Sequence, residues 1–515
     1  MYVDDQTYTT KGKTYRRVLL RQSYRDENGK TKQHLIGNIS HCDEDEILAV
    51  KYALKNRGNL DFLRQISGAK TKYWKIAGPS ILLQQASNYL GINKVLGNGP
   101  QSNYILWQIF TRLIQPGSRL ANVRLAQSHC GCELLGIDSI TEHDLYDSLV
   151  WLHDRKEHVE EMLFKQATSK KSEASTIFLY DVSSSYFEGQ CNELGEFGYN
   201  RDKKKGKKQL VYGLLTNTQG DPLSIEAFQG NTQDPATLKT QIEKIKDRFG
   251  CTKVVIVGDK GMIKSAQIED IEKSGLHYIT TITKAQIESL IKKDVFQLEL
   301  FTDELVEVVD RDEMIRYVLR RNPARAEELK LTRQGKIDSI NNKIQKSNKY
   351  LEEHLRAKTG IQIRDITAYI KKLKMDKFAE ARTVGDKRQL ELKIDETEMD
   401  QAAKLDGCYV IKSDLIDAKE IKKEELHSRY KSLSLVEWAF RTEKSQIEIR
   451  PIYLRKKHRT QAHLIVCMLA YKIEKYLREC WNELDLTVEE GMEKLSSIVG
   501  MKTKLGTKKE VVWLA

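Results

Sequence analysis

The sequence lacks any apolar run near the roughly 20 residues that a membrane-spanning helix needs, and its first residues, MYVDDQTYTTKGKTYRR, lack the apolar core of a secretion signal. We therefore expect a protein that neither contacts a membrane nor is exported. Its eight cysteines include no C-x-x-C pair, which argues against a zinc ribbon or a disulfide framework. This cysteine usage indicates a reducing, intracellular compartment. Internal repeats are also absent.

Basic residues are in excess. Lys and Arg number 85 against 73 Asp and Glu, which gives a net charge of +12 and an isoelectric point near 9.0. Such a balance favours a polyanionic partner, nucleic acid above all. At 515 residues the chain has room for two to four domains, because single cores stop growing near about 250–300 residues.

The N-terminal third changes character once. Residues 1–42 alternate in the pattern of a β-hairpin, with KTYRRVLLRQSYR and TKQHLIGNI as its strands and a turn near Asn28-Gly29. Residues 43–168 show helical periodicity broken by the Pro116-Gly117 turn. A hairpin module followed by an all-helical region is the simplest prediction.

A sheet is predicted in residues 169–285. Three strands joined by short turns, a helix over DPATLKTQIEKIKDRF, and further apolar strands indicate a mixed sheet covered by helices. The predicted strands lie within STIFLYDVSSSYF, KQLVYGLLTN, DPLSIEAFQG, TKVVIVGDKGM and LHYITTI.

The remaining chain divides into three segments. Residues 286–415 form a polar insertion, in which the strand-like MIRYVLRR and RQLELKI enclose a helical stretch. That stretch has one apolar face, formed by Ile337, Ile340, Ile344, Leu351 and Leu355. Residues 416–480 predict two helices that complete the core: one over about 417–449, and one over about 460–480 that is apolar nearly all round. Residues 481–515 form a short basic tail.

Two aspartates follow apolar strands: Asp181 after TIFLY and Asp259 after KVVIVG. Carboxylates at the carboxyl ends of strands project into the crevice where ligands bind. An aspartate in this position also caps turns, which is the alternative explanation for each one alone. Two carboxylates in one pocket repel each other, so such a site suits Mg²⁺ with phosphate oxygens. A two-metal phosphodiester site needs a third carboxylate from elsewhere.

The stretch VEWAFRTEKS supplies a candidate for that third carboxylate. At about 100° per residue, Tyr430, Glu437, Arg441 and Lys444 form one stripe of a helix. The neighbouring stripe is apolar, with Val436 and Phe440, so that Glu437 would lie at the edge of the core. A surface ion pair between Glu437 and Arg441 is the alternative interpretation.

Together these blocks resemble the DDE transposases of bacterial insertion sequences, which have an RNase H-like core. Tyr430, Glu437 and Lys444 have the spacing of the Y-R-E-K signature, although Leu433 replaces its Arg. YDVSSSYFEG and VIVGDKGM resemble the two Asp blocks, and the likeness extends over nearly the whole chain of a roughly 500-residue member. The fold class implied is α/β: an RNase H-like mixed sheet flanked by helices and interrupted by an insertion, with an N-terminal β-hairpin and a helical DNA-binding region.

The resemblance implies a transposase that cleaves transposon ends and joins them to target DNA. Asp181, Asp259 and Glu437 would hold two Mg²⁺ ions, with Mn²⁺ as the alternative. Its partners would be terminal inverted repeats, target DNA and a second copy in a homodimer, in the nucleoid of a bacterial cytoplasm. A plain metal-dependent nuclease and a silent, domesticated DNA-binding protein remain alternatives. Candidate DNA contacts are Tyr430, Arg441, Lys444, Arg450, Arg455, Lys456 and Lys457.

Overall fold

A computed structural model describes residues 1–10, 13–27, 29–55, 70–168, 176–249, 254–385, 388–417 and 421–504. The predicted turn residue Asn28 and residues 505–515 of the predicted basic tail lie outside these residues. No helix in the described ranges is long and apolar enough to cross a membrane. The chain divides into two compact units.

The first unit comprises Met1–Ile81, Ala126–Gly131 and Met492–Ala515. Its sheet β1-β2-β3 is antiparallel. The predicted hairpin is confirmed as β2 and β3, while β1 pairs with β2 and was not predicted. A second antiparallel pair joins β4 to β15, which comes from the predicted tail. The elements are β1 (Tyr2–Thr10), β2 (Lys13–Arg25), β3 (Thr31–Asn38), α1 (Glu44–Lys55), β4 (Lys70–Ile76) and β15 (Val499–Lys504).

Helices follow in residues 43–168, where helical periodicity was predicted, but β4 also lies in this range, so the prediction of an all-helical region was wrong there. Helix α4 ends at Ile114 and α5 begins at Arg119, so the Pro116-Gly117 turn is confirmed. The helices are α2 (Gly78–Tyr89), α3 (Ile92–Leu96), α4 (Pro100–Ile114), α5 (Arg119–Ser128), α6 (Gly131–Leu134), α7 (Glu142–Asp154) and α8 (Lys156–Thr168).

The second unit, Leu82–Leu125 with Cys132–Gly491, is built on an eight-stranded sheet of order β10-β11-β14-β9-β8-β5-β6-β7. Strands β5, β6 and β7 are antiparallel, and β8 and β9 run parallel to β5. This is the RNase H-like mixed sheet that the resemblance implies. Its strands are β5 (Thr176–Tyr186), β6 (Gln209–Thr216), β7 (Pro222–Gln229), β8 (Val254–Val257), β9 (His277–Thr281), β10 (Val306–Asp310), β11 (Ile315–Arg321) and β14 (Cys408–Ser413).

Burial of the sheet on both faces explains why its central strands are apolar. β8 is buried at every residue, as expected for a strand covered on both faces. Phe178 and Ile256 pack with Ile242 and Phe249 of the predicted helix. That helix is α9 (Asp234–Glu243), which continues as a π-helical segment, Lys244–Arg248. The prediction of short turns was wrong in one place, because residues 187–208 form a long connection between β5 and β6.

The predicted insertion, residues 286–415, contributes to two structures. Strands β10, β11 and β14 extend the large sheet, whereas the chain between β11 and β14 has a separate core around Ile340 and Ile366. Of the predicted apolar face, Leu355 is exposed because the long helix ends at Glu353. The elements are α10 (Ser265–Lys273), α11 (Lys284–Lys292), α12 (Pro323–Glu353), α13 (Thr359–Lys372), β12 (Ala379–Thr383), β13 (Leu390–Ile394) and α14 (Glu396–Lys404).

The helix predicted over about 417–449 is two helices, α15 (Lys423–Lys431) and α16 (Ser434–Ser445). The α-helical ladder tightens between them, since Leu433 N–H donates to the carbonyl of Tyr430 and Val436 N–H to that of Leu433. The buried helix is confirmed as α17 (Lys457–Trp481), which packs on β7, α7 and α4. Helix α18 (Val488–Leu495) follows.

Candidate active site

Asp181 and Asp259 occupy equivalent positions on neighbouring parallel strands. Leu179 of β5 is the partner of Val257 of β8, and each aspartate comes two residues later in its chain. Adjacent strands are about 4.8 Å apart, so this register brings the two residues to one edge of the sheet. The apolar runs TIFLY and VVIV are buried in the sheet, and the first carboxylates beyond them reach the crevice.

The carboxyl group of Asp181 interacts electrostatically with both other candidate carboxylates and with one cation. Burial, and after it the nearby carboxylates of Asp259 and Glu437, raise the pKa of its carboxyl group to about 7. The N–H of Val182, which donates to Oδ1 at 2.8 Å, and the guanidinium of Arg201 lower that pKa. The predicted third carboxylate is therefore close enough to Asp181 to interact with it. Asp181 itself lies inside β5, which continues to Tyr186, so the expectation that the strand ends before Asp181 was wrong.

Glu437 is placed by the apolar face of α16. Val436 and Phe440 are buried, α16 packs against β5 and β6, and the Phe440 ring meets that of Tyr212 edge-on at 5.3 Å between centroids. Glu437 itself is exposed, so the predicted position at the edge of the core understated its access to water. Leu433, which replaces the signature Arg, is buried and belongs to the packing face.

Tyr430 connects the site to β9. Its hydroxyl lies 3.0 Å from Oγ1 of Thr281, the last residue of that strand. Burial raises the pKa of Tyr430, the bond with Thr281 lowers it, and the carboxylates of Asp259, Glu437 and Asp181 raise it. Tyr430 is thus near all three carboxylates.

Lys444 and Arg450, both predicted DNA contacts, pair with a buried carboxylate. Nζ of Lys444 lies 2.9 Å from Oδ1 of Asp202, and the Arg450 guanidinium contacts the same oxygen. The Asp202 side chain is 4% exposed. Asp202 therefore neutralises part of the positive charge of Lys444 and Arg450 inside the protein.

Arg441 lies over an aromatic ring rather than beside Glu437. Its guanidinium carbon is 5.4 Å from the centroid of Trp438, and that of Arg478 is 5.0 Å from the same ring. Among the described residues Glu437 and Arg441 form no ion pair, which disfavours the alternative of a surface pair. Trp438 is 43% exposed, so it presents an aromatic edge flanked by two cations.

The basic run Arg455, Lys456 and Lys457 is exposed at the start of α17. Glu193 holds it: Oε2 accepts the N–H of Lys457 at 2.8 Å and Oε1 lies 3.0 Å from Nζ of Lys456. The N–H of Lys457 and the Lys456 ammonium lower the pKa of Glu193. Asn192 adds a bond to the carbonyl of Leu454 at 2.6 Å. The long β5–β6 connection thus fixes the backbone that presents these cations.

Arg201 is a site residue that the sequence interpretation missed. Its N–H donates to Oγ of Ser184 at 3.3 Å, and its guanidinium pairs with Asp234. It lowers the pKa of Asp181. Arg201 belongs to the basic stretch GYNRDKKKGKK, and nothing in the linear sequence indicates which of its cations faces the carboxylates.

The donor set fits hard divalent cations, because it consists of carboxylate oxygens. In the described part of the chain, no three His, Cys, Asp or Glu side chains are close enough to hold one ion together. Mg²⁺ needs only one or two carboxylates, with water and phosphate oxygens completing its shell.

Comparisons with known proteins were made for the whole chain. Residues 173–473 match a family model described as Transposase DDE domain, and residues 6–61 match the IS1634 family transposase, N-terminal domain. No protein of curated function matches in sequence.

Two solved structures are similar at low identity. One is a cryo-EM structure of the piggyBac transposase synaptic complex with hairpin DNA, at a TM-score of 0.38 and 7% identity, covering 81% of this chain and 76% of that one. The other is the Mos1 transposase paired-end complex with left transposon end, at a TM-score of 0.16 and 12% identity, covering 32% of this chain and 59% of that one.

Proposed function

The chain belongs to the DDE transposase family, and we propose that Asp181, Asp259 and Glu437 are the carboxylates with which this DNA transposase cleaves and joins DNA. The observation that carries the proposal is electrostatic: the second and third carboxylates both raise the pKa of Asp181. Carboxylates that interact at one sheet edge destabilise the apoprotein unless a cation compensates their charge. Perturbed carboxylates of this kind cluster at functional sites.

Two Mg²⁺ ions, or Mn²⁺ in their place, are the cations proposed. When bound, two such ions activate an attacking water or 3′-hydroxyl and neutralise charge on the leaving oxygen. Asp181 lies near both other carboxylates, so it would contribute to both ions, Asp259 to one and Glu437 to the other. This sharing agrees with the absence of a three-ligand cluster in the described residues.

Other side chains prepare the carboxylates. Arg201 favours the ionised form of Asp181 because its cation lowers the pKa of that carboxyl group. The Tyr430–Thr281 contact of 3.0 Å ties the end of α15 to β9, and so fixes the start of α16 on which Glu437 lies. Asp202 anchors Lys444 and Arg450. We assign these residues to positioning rather than to chemistry.

The DNA contacts we propose are the exposed cations around this edge, which neutralise phosphates and fix the register of the duplex. Arg441 lies over the ring of Trp438, the residue that follows Glu437 in α16, and the start of α17 presents Arg455, Lys456 and Lys457. Internal contacts already engage Tyr430, Lys444 and Arg450. These three residues would therefore contact DNA only through the atoms that the internal contacts leave free. The DNA would be a terminal inverted repeat at cleavage and target DNA at joining.

Pairing of two transposon ends implies two copies of the enzyme related by symmetry. We therefore propose a homodimer in the complex with both ends. The N-terminal module and the helices that follow it would recognise the inverted repeat.

The test uses end DNA and three single variants: Asp181→Ala, Asp259→Ala and Glu437→Ala. Each should bind end DNA with the wild-type affinity and lose Mg²⁺-dependent cleavage. Glu425→Ala, on the neighbouring helix α15, is the matched control and should cut normally, because Glu425 only pairs with Arg429 on the helix surface. Normal cleavage by all three site variants would refute the assignment.

Joining separates a transposase from a plain nuclease on the same fold. A pre-cleaved end with a free 3′-hydroxyl, incubated with target plasmid and Mg²⁺, should become covalently attached to the target. A nuclease cuts but does not attach it, and a silent DNA-binding protein does neither.

A further inference from the structure

A second site lies away from the three carboxylates, in a cavity of about 410 Å³ between α4, the start of α5, α17 and the segment that follows α16. The side chains that give it chemical character are those of three arginines, a histidine and two tyrosines. They are Arg112, Arg119, Arg450, His463, Tyr146 and Tyr453. A cavity with this lining is suited to an anion.

Arg119 is the unusual group. It is 5% exposed, and its Nε has no hydrogen-bond partner among the residues that the structure describes. Nη2 lies 3.4 Å from Nδ1 of His463, which is itself buried. Burial and the charge of Arg112 lower the pKa of Arg119 to about 9. A buried guanidinium without a carboxylate is costly, and an incoming anion removes that cost.

Arg112 adds a second buried cation. It is 5% exposed and donates to the carbonyls of Glu448 and Gly117, at 3.2 and 2.8 Å. Those acceptors are neutral peptide groups, so they satisfy hydrogen bonds without cancelling the charge. Glu448 is the one acidic residue of the lining, and it is exposed. Within the described chain, neither arginine forms an ion pair with an acid.

The start of α5 reinforces the positive field. The helix begins at Arg119, and Gly117 and Ser118 of its entry also line the cavity. The N-terminus of a helix carries partial positive charge and binds phosphate or sulfate. Two buried guanidinium groups and a helix N-terminus therefore point to one ligand chemistry.

We propose that this cavity binds a backbone phosphate of the transposon DNA, with Arg119 as the principal contact. The inference rests on the proposed function, because it assumes a DNA substrate. A guanidinium pairs with phosphate through two parallel N–H···O bonds. Arg119 has an unused N–H for such a pair.

The rim of the cavity favours DNA over a free phosphate ion. Arg450 lines the cavity and also contacts Asp202. Asp202 in turn pairs with Lys444 of α16, the helix that carries Glu437. Tyr453 is 68% exposed at the rim, and the exposed run Arg455–Lys457 follows directly in the chain. A duplex held by that run places its phosphates along the rim, so one of them can enter.

The experiment measures binding of end DNA to the full chain in EDTA, where cleavage does not occur. Arg119→Gln should weaken binding about 10-fold and reduce the slope of log affinity against log salt by about 1. Duplexes with a single methylphosphonate are then scanned along both strands. At one position the neutral linkage should weaken wild type and leave Arg119→Gln unchanged. Arg124→Gln, an exposed arginine of the same helix, is the control and should keep the sensitivity of wild type at that position.

Three results would overturn the inference. The first is wild-type affinity in Arg119→Gln. The second is weaker DNA binding by Arg119→Gln without any position at which a methylphosphonate weakens binding by wild type and leaves binding by the variant unchanged. The third is a thermal stabilisation by inorganic phosphate that Arg119→Gln abolishes while its DNA affinity stays unchanged, because the site then takes a free anion. Should Arg119→Gln not fold, Arg119→Lys replaces it, with the same position of the scan as its readout.

Failure of this inference and failure of the proposed function can be told apart. Binding in EDTA does not depend on the carboxylates, so a normal Arg119→Gln with intact cleavage refutes the phosphate site alone. An Arg119 effect in a protein that neither cuts nor joins DNA refutes the proposed function alone.

Discussion

Lys444 Nζ lies 2.9 Å from Oδ1 of Asp202, a residue 242 positions earlier in the chain. This pair links α16, which carries Glu437, to the long connection between β5 and β6. Arg450 joins it on the same oxygen. The cation that the signature spacing marks as a DNA contact therefore also holds two parts of the site together.

We predict that Asp202→Ala destabilises the protein by about 3 kcal/mol, because it leaves two partly buried cations without their partner. Urea unfolding of variant and wild type measures the difference. Glu188→Ala is the control: it breaks an ion pair with Lys207 that is about 40% exposed on both sides, and it should change stability by less than about 1 kcal/mol. Equal losses of unfolding free energy in the two variants would show that the buried ion pair stabilises the protein no more than the exposed one.

Glu443 predicts a dependence of stability on pH. It is fully buried, and neither carboxyl oxygen has a hydrogen-bond partner in the described part of the chain. Burial raises the pKa of Glu443 from 4.5 to about 8. The folded state thus retains a proton that the unfolded state loses above pH 4.5, so this group costs stability as pH rises from about 4.5 to about 8.

Glu443→Gln removes that titration. Its unfolding free energy should fall less steeply between pH 5 and 8, by up to about 1.4 kcal/mol per pH unit. Glu474 and Asp181, whose pKa values are raised to about 7, keep some slope in both proteins. Glu425→Gln, an exposed residue, serves as the comparison and should follow wild type. An unchanged slope in Glu443→Gln would mean that Glu443 is ionised in the folded protein.

Gly213 of β6 has no space for a side chain. A Cβ atom there would lie 2.1 Å from the hydroxyl oxygen of Tyr180, the residue before Asp181. Gly213→Ala should therefore shift β5, cost about 1–3 kcal/mol of stability, and reduce cleavage more than DNA binding. Gly29→Ala, in the hairpin turn, is the comparison: Gly29 has a positive φ of 74° but open space around it, and the substitution should leave the ratio of cleavage to binding unchanged.

From the exposed ring of Trp438 we predict that the protein binds DNA ends with unpaired bases more tightly than blunt ends. It is exposed between Arg441 and Arg478 and follows Glu437 directly. Stacking of a base on an aromatic side chain contributes about 1–3 kcal/mol. Trp438→Ala should weaken binding of a pre-cleaved end with a single-stranded overhang by about 10-fold, and binding of the blunt duplex by less. Equal losses on both DNAs would exclude stacking.

Local sequence patterns predicted the elements that carry the candidate site. The apolar runs before Asp181 and Asp259 indicate strands, which are β5 and β8, and the apolar face predicted for the helix of Glu437 packs on the sheet. Family resemblance and the family model agree on the class of enzyme. The fold class is confirmed by the order and direction of the strands.

Long-range pairings were beyond a single sequence. Nothing local shows that Asp202 is buried against Lys444, or that β11 and β14 of the predicted insertion pair with each other and join the large sheet at β9. The break between α15 and α16 was missed because Leu433 continues the apolar pattern, so periodicity predicts one helix through it. The Arg119 cavity also escaped prediction, since its walls come from residues more than 300 positions apart.

The most direct test of the central claim exchanges the metal preference of each proposed ligand. Asp181→Cys, Asp259→Cys and Glu437→Cys replace a hard carboxylate by a softer thiolate, which disfavours Mg²⁺ and suits thiophilic ions such as Mn²⁺ better. Cleavage of end DNA should be lost in Mg²⁺ for all three variants and recover in Mn²⁺, while the control Glu425→Cys cuts with both ions. Full activity of the three variants in Mg²⁺ would contradict the assignment of these carboxylates to the metal site.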